Sequence, residues 1–119
     1  MSSRVARLTR KQHGARARSA LFRALAGRAG VPRDRILLTD VRSVDWQSLT
    51  FAGERHQIGL RVPGADSLAI VRRMCAGLPE AEFSIPGILV ADIGVLGAPT
   101  DRADGSVELT IEALTITDD

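Results

Sequence analysis

The 119-residue sequence has one cysteine, one lysine, one tryptophan and no tyrosine. A lone cysteine, Cys75, excludes an intramolecular disulfide, and its place on the apolar stripe of a predicted helix indicates a buried, inert thiol. Aromatic residues make up only 3% of the chain, which argues against the exposed aromatic platform of an RNA-reading sheet. Fifteen arginines beside Lys11 reflect GC-rich, bacterial-like coding, so arginine content alone indicates no ligand.

Motifs for chemistry are also missing. No apolar run reaches the roughly 18 to 20 residues of a membrane span, and no secretory signal is visible, so we expect a cytoplasmic protein. The glycines form neither a dinucleotide fingerprint nor a phosphate loop, which predicts no cofactor. Only His13 and His56 are present, too few for a histidine-based metal site. The sequence therefore favours a non-catalytic protein over an enzyme.

Charge is distributed unevenly along the chain. Residues 1–33 hold nine basic groups and no acid, whereas residues 34–119 hold seven basic and fourteen acidic groups. Residues 1–17 contain few large apolar side chains, so we interpret them as a mobile basic arm joined to a single domain at residues 18–119.

The clearest pattern is a strand followed by a helix. Alternation across residues 56–62 predicts a half-buried strand with Ile58, Leu60 and Val62 facing inward. Pro63 and Gly64 end it, and a helix then follows. Its inward stripe is predicted to be Leu68, Val71, Cys75 and Leu78.

Four further elements complete the pattern. A helix is predicted from Ser19, with an inward stripe of Leu21, Phe22, Leu25 and Ala29, up to the cap at Gly30. Strands are predicted at residues 36–51, 88–96 and 107–117. On the second of these, Leu89, Ala91, Ile93 and Val95 are expected to share one face. Alternation slips at residues 43–47 and again at Leu114 and Ile116, which predicts two bulges.

The resulting order is α-β-β-α-β-β, a two-layer α+β sandwich with a four-stranded, mostly antiparallel sheet and two helices on one face. This order resembles a circularly permuted ferredoxin-like plait. That resemblance implies that strands 55–62 and 106–117 are central and parallel to each other, with strands 36–51 and 87–96 at the edges.

Three functional hypotheses remain open. The first is a non-catalytic interaction module, a homodimer or the binder of a protein partner, whose open sheet face accepts a basic arm through Asp92, Glu108 and Glu112. Arg61 is the fourth predicted partner-binding residue. The second is a nucleic-acid or ribosome-associated factor that contacts phosphates by charge. Its contacts would be Arg4, Arg7, Arg10, Lys11, Arg16 and Arg18. The third is a small cofactor-free enzyme with a pocket between Trp46, His56 and Cys75.

Overall fold

The computed structural model describes residues 10–117, with all of their side chains except those of Arg10, Lys11 and His13. The elements are α1 (Arg10–Ala29), β1 (Leu37–Gln47), β2 (Ala52–Val62), α2 (Ser67–Cys75), β3 (Ile88–Val95), β4 (Thr100–Asp101) and β5 (Val107–Thr117). Single 3₁₀ turns lie at Arg33–Arg35 and Leu78–Glu80. The predicted α+β class is confirmed: two helices cover one face of an antiparallel sheet.

The sheet runs in the order β1-β2-β5-β3, and β4 pairs with the start of β5. The central and edge positions are as predicted, but the parallel orientation of the central pair is wrong, because β2 and β5 are antiparallel. The crossover through α2 preserves chain direction from β2 to β3, and the β3–β5 connection then reverses it. β4 adds a fifth, two-residue strand between the predicted strands 88–96 and 107–117. The ferredoxin-like permutation stays a prediction.

The core lies between the helices and the two central strands. The buried residues alternate with half-buried ones from His56 to Val62 in β2 and from Val107 to Thr115 in β5, and Leu60 is directly opposite Leu109. The predicted inward phase of β2 is therefore confirmed. Leu21 and Leu25 of α1 are fully buried against this layer. Such burial contributes about 1.5 to 3 kcal/mol for each large aliphatic side chain.

The first helix is longer than predicted. It includes residues 10–17, so the expected start at Ser19 is wrong, and Ala17 is already buried. Hydrophobic periodicity did not reveal these first two turns, because their inward residues are small, such as Gly14 and Ala17. The boundary drawn at residue 17 falls within α1, residues 1–9 lie outside the described residues, and the mobility of the arm stays a prediction.

The inward stripe of α2 is also rotated from the predicted one. Its buried residues are Ser67, Ile70, Val71 and Met74, whereas Leu68 is exposed and Cys75 is half-buried. Val71 and Leu78 are buried as predicted, but the centre of the buried face is rotated by about 70° from the predicted one, which is less than the turn of one residue. A nine-residue helix rich in apolar side chains does not distinguish the two faces by periodicity.

The predicted bulges lie elsewhere. β5 pairs with β2 without interruption from Val107 to Ile116, and the irregularity in β1 lies between Leu38 and Asp40. A register shift does occur in β3, between Val90 and Asp92. It turns Leu89 and Ala91 outward although Ile93 stays buried, so the predicted common face of that strand is wrong.

The two helices satisfy each other's C-terminal carbonyl groups. Arg28 of α1 donates to the carbonyl oxygen of Met74 at 3.0 Å and also to that of Ala76. Arg73 of α2 donates to the carbonyl oxygen of Ala29 at 2.9 Å. These cationic side chains bind groups that a helix end leaves unpaired. Two arginines are thereby explained by helix packing.

Candidate protein-interaction surface

The open face of the sheet is the face turned away from α1 and α2. Strand pairing arranges its side chains in rows that cross the sheet. One row contains Trp46, Gly53, Ile116 and Leu89, and the next contains Val44, Arg55, Leu114 and Asp92. These two rows adjoin the hairpin that joins β1 to β2.

Five large apolar side chains lie together in these rows, and we call them the apolar end: Val44, Trp46, Leu89, Leu114 and Ile116. Val44 is 61% exposed and Leu89 is 59% exposed, and the other three are half-buried. No helix of the described residues covers this face. Contiguous apolar groups of this kind are typical of interaction sites rather than of an ordinary solvated surface.

The β1–β2 hairpin extends the apolar end at its tip. Ser48 and Phe51 close the turn: the Ser48 N–H donates to the Phe51 carbonyl oxygen at 2.9 Å, and the Phe51 N–H donates to Ser48 Oγ at 3.1 Å. Leu49 at this tip is fully exposed and Phe51 is largely exposed. A well-closed turn thus presents two more apolar side chains to solvent.

The other part of the open face, which we call the charged end, carries ion pairs between neighbouring strands and loops. Arg102 contacts Glu108 at 2.7 Å, and Arg61 contacts Asp104. A hydrogen bond from Ser106 is the main reason why the pKa of Asp104 falls to about 2, with Arg61 adding to the effect. An open groove of about 420 Å³ lies here, lined by Arg42, Glu108 and Arg102 among others. An exposed ion pair such as that of Arg102 with Glu108 contributes about 0 to 1 kcal/mol.

The helix side of the sheet behind the apolar end is polar. The His56 ring is completely buried, with Nδ1 2.7 Å from Ser43 Oγ and Nε2 2.8 Å from Thr115 Oγ1. Arg18 of α1 donates to Ser43 Oγ at 3.0 Å. Since guanidinium groups only donate, the hydroxyl of Ser43 is free to donate to Nδ1, and Nε2–H then donates to Thr115.

Burial lowers the pKa of His56 from 6.5 to about 4, and the positive charge of Arg18 acts in the same direction. The imidazole is therefore neutral near pH 7. Both ring nitrogens have partners, so this is a satisfied structural histidine.

Polarity thus changes sides along the sheet. At the charged end, apolar residues such as Leu60 and Leu109 face the helices and charged residues face outward. At the apolar end, Ser43, His56 and Thr115 face the helices and the apolar residues face outward. This exchange explains the slipped alternation that predicted bulges at residues 43–47 and 114–116. The pairing of β2 with β1 and β5 is uninterrupted there, so the strands keep their phase.

Of the predicted partner-binding residues, Arg61, Asp92, Glu108 and Glu112 all lie on the open face. Glu112 contacts Arg55 at 3.5 Å and accepts a hydrogen bond from Gln57 at 3.1 Å. With Glu108 paired to Arg102, two of the three acids are neutralised within the chain. Asp92 is exposed. The apolar end was not predicted as a site, although its signal was present in the broken alternation.

The structure does not bring the predicted pocket together. Trp46 shares the open face with Ile116, whereas His56 lies on the opposite face. Cys75 lies near Arg28, and His56 lies near Arg18. Ten residues of helix, about 15 Å, separate those two arginines. Burial raises the pKa of the Cys75 thiol above its ordinary value, which keeps it protonated.

The predicted nucleic-acid contacts are only partly described. Arg4 and Arg7 lie outside the described residues, as do the side chains of Arg10 and Lys11. Arg16 donates to the carbonyl oxygen of Pro86, and Arg18 is held by Ser43. Within residues 10–117 no group of three or more His, Cys, Asp or Glu side chains is placed to hold a metal ion. No described helix has the length and apolarity needed to cross a membrane.

Comparison with known proteins gives a likeness of fold. No protein-family model and no curated protein matches the chain. A chain from the virion of a native gene transfer agent particle matches with a TM-score of 0.54 and 18% identity, over 97% of this chain and 99% of that one. The type 4 fimbrial biogenesis protein PilO from Pseudomonas aeruginosa matches with a TM-score of 0.43 and 13% identity, over 92% and 70%. The first likeness shows a shared fold over nearly the whole chain.

Proposed function

We propose that this protein is a non-catalytic subunit of a protein assembly and that it binds protein through the apolar end of its open sheet face. The observation that carries the proposal is the exchange of polarity along the sheet. If one strand had outward apolar residues by chance, the neighbouring strands would not carry apolar residues in the same row. Trp46, Ile116 and Leu89 come from three strands and share one row across the sheet.

The fold of a chain from a virion particle supports the same reading, because such particles are built from protein subunits. Fold alone does not determine function, so the surface has to carry the proposal. An interface also explains the polar residues behind it. The hydrogen-bonding groups of Ser43, His56 and Thr115 are satisfied by one another and by Arg18. The apolar residues at this end are therefore not required for the packing of the helix side.

The acidic side chains contribute less to this proposal than the apolar ones. Glu108 and Glu112 are compensated by Arg102 and Arg55, and only Asp92 keeps its charge clear of a described ion pair. A basic arm that binds this face therefore has Asp92 as its main contact. Deletion of residues 1–9, which leaves the described part of α1 intact, tests the arm: salt-dependent loss of partner binding supports its role, and unchanged binding removes it.

Site-specific photo-crosslinking tests the proposed function. A photoreactive amino acid is placed at Leu89 or, in a second variant, at Val44 in the full chain, in the cells that naturally produce it, and at Leu68 as a control. Leu68 is exposed on α2, away from the open face. We expect a covalent adduct with a protein from position 89 and none from position 68. The absence of any protein adduct from positions 89 and 44 would contradict the proposal.

A further inference from the structure

We infer that the protein bound at the apolar end is a second copy of this chain, packed face to face about a two-fold axis that runs parallel to the strands. The inference rests on the proposed function and names its partner. It follows from the order of the rows across the sheet, from their charges and from the area they offer.

The area is sufficient for a dimer. The apolar end together with Leu49 and Phe51 presents on the order of 600 Å², because Leu49 is fully exposed, Val44, Phe51 and Leu89 are more than half exposed, and the other three side chains are half-buried, on a scale of about 150 to 250 Å² for a whole aromatic side chain. Two such surfaces bury about 1,200 Å², which reaches the lower limit for specific stable interfaces. The surface is spread over all four long strands, so a second sheet packed about 10 Å away can cover it.

A two-fold axis along the strands reverses the strand order of the second copy. β1 of one copy then lies over β3 of the other, and β2 lies over β5. Trp46 is therefore set against Leu89 of the second copy, and the same contact recurs on the other side of the axis. Ile116 is set against Gly53, which contributes no side chain. The two large Ile116 side chains near the axis are therefore each set against a glycine, and the two sheets can pack closely there.

The next row adds complementary charges. Arg55 lies over Leu114 of the second copy, one strand spacing of about 4.8 Å from Asp92. An arginine side chain spans that offset, so each copy's Arg55 can pair with the other copy's Asp92. Within one chain Leu114 of β5 lies between these two residues in the row, and the carboxylate that contacts Arg55 is that of Glu112, at 3.5 Å. The exposed Asp92 thereby gains a partner only in the dimer.

Charge reversal tests this geometry. We expect the full chain to be a dimer by sedimentation equilibrium, and Arg55→Glu or Asp92→Arg each to weaken self-association by about tenfold or more, because like charges then meet twice. An equimolar mixture of the two variants restores opposite charges at both contacts. Heterodimers should therefore form at least about tenfold more tightly than either homodimer. Changes within a single chain cannot produce this preference, and its absence overturns the inference.

A second pair of variants keeps the test independent of charge. Leu89→Asp should shift the chain to monomer, whereas Leu68→Asp should leave the dimer intact. Leu68 is a matched control because it is 47% exposed and lies on α2, away from the open face. Equal effects of the two substitutions overturn the inference.

The crosslinking result separates the two proposals. An adduct at position 89 with the mass of two chains agrees with both. An adduct with a different protein, from a chain that is monomeric when purified, overturns the two-fold dimer and leaves the proposed function standing. A monomeric chain that gives no adduct overturns both.

Discussion

The charged end and the apolar end of this sheet are built from the same strands but turn their apolar side chains to opposite faces. β2 places Leu60 against the helices at one end and His56 at the other, without any break in its pairing with β5. The first arrangement is an ordinary hydrophobic core beneath a solvated surface. The second arrangement has a satisfied polar layer beneath an exposed apolar surface. Secondary-structure phase and the direction of the hydrophobic face are therefore separate properties of a strand.

The largest contrast is expected between Leu60 and Leu89. Leu60→Ala leaves a cavity in the buried core and should lower the free energy of unfolding by about 2 to 5 kcal/mol. Leu89→Ala removes an exposed side chain and should cost less than about 1 kcal/mol in the isolated chain. Denaturant melts at concentrations below dimerisation compare the two. Similar costs would mean that the apolar end is buried within the single chain.

The buried histidine gives the polar layer a pH signature. With a pKa of about 4 in the folded chain against 6.5, His56 binds fewer protons when folded, so its stabilising effect is complete above about pH 6.5. This stabilising effect is lost as pH falls from about 6.5 to about 4, and the free energy of unfolding then decreases by up to about 3 kcal/mol. His56→Gln should remove this dependence between pH 5 and 6.5. If wild type and variant lose stability in parallel there, the histidine does not titrate as described.

Substitution of two glycines, Gly53 and Gly94, tests how closely the strands approach each other near the apolar end. A methyl group at Gly53 would overlap the carbonyl oxygen of Thr115, whereas a methyl group at Gly94 would meet no atom within 4 Å. Gly53→Ala should therefore destabilise the chain by about 1 to 3 kcal/mol. Gly94→Ala should change stability by less than about 0.5 kcal/mol, in either direction. Thermal melts of the pair check this, and an equally mild effect at both positions would mean that β2 and β5 separate easily here.

The smallest effect is expected at the charged end. The Arg102 and Glu108 side chains are partly exposed, so a double-mutant cycle with alanine should give a coupling of about 0.2 to 1 kcal/mol that declines with added salt. A larger coupling, insensitive to salt, would indicate that this end is buried by a partner as well.

The sequence allowed the α+β class to be predicted, because Ile58, Leu60 and Val62 alternate clearly. The central position of strands 55–62 and 106–117 was implied by the topological resemblance to a permuted ferredoxin-like plait. The sequence did not reveal the stripe of α2, where Ile70 and Met74 are buried in place of Leu68 and Cys75. A helix of two and a half turns with apolar residues on several sides needs its tertiary contacts to fix its rotation. β4, with two residues, is too short to carry a pattern.

The apolar end was hidden for a different reason. Prediction from alternation assumes that the apolar face is the core face, and Leu114 and Ile116 break that assumption while keeping the strand period. Only strand pairing, which sets Ile116 beside Leu89 and Leu114 beside Arg55, shows that these residues form one surface. Residues far apart in sequence had to be brought into rows before the site could be recognised.

Trp46 allows the most direct test, because it is the only tryptophan and lies within the apolar end. Its fluorescence is measured across a dilution series whose mass is followed by sedimentation. Packing against Leu89 of a second copy should shift the emission to shorter wavelength and reduce acrylamide quenching, with the same concentration midpoint as the change in mass. Leu89→Asp should remove both changes. Emission that stays constant while the mass doubles would show that the chains associate through another surface.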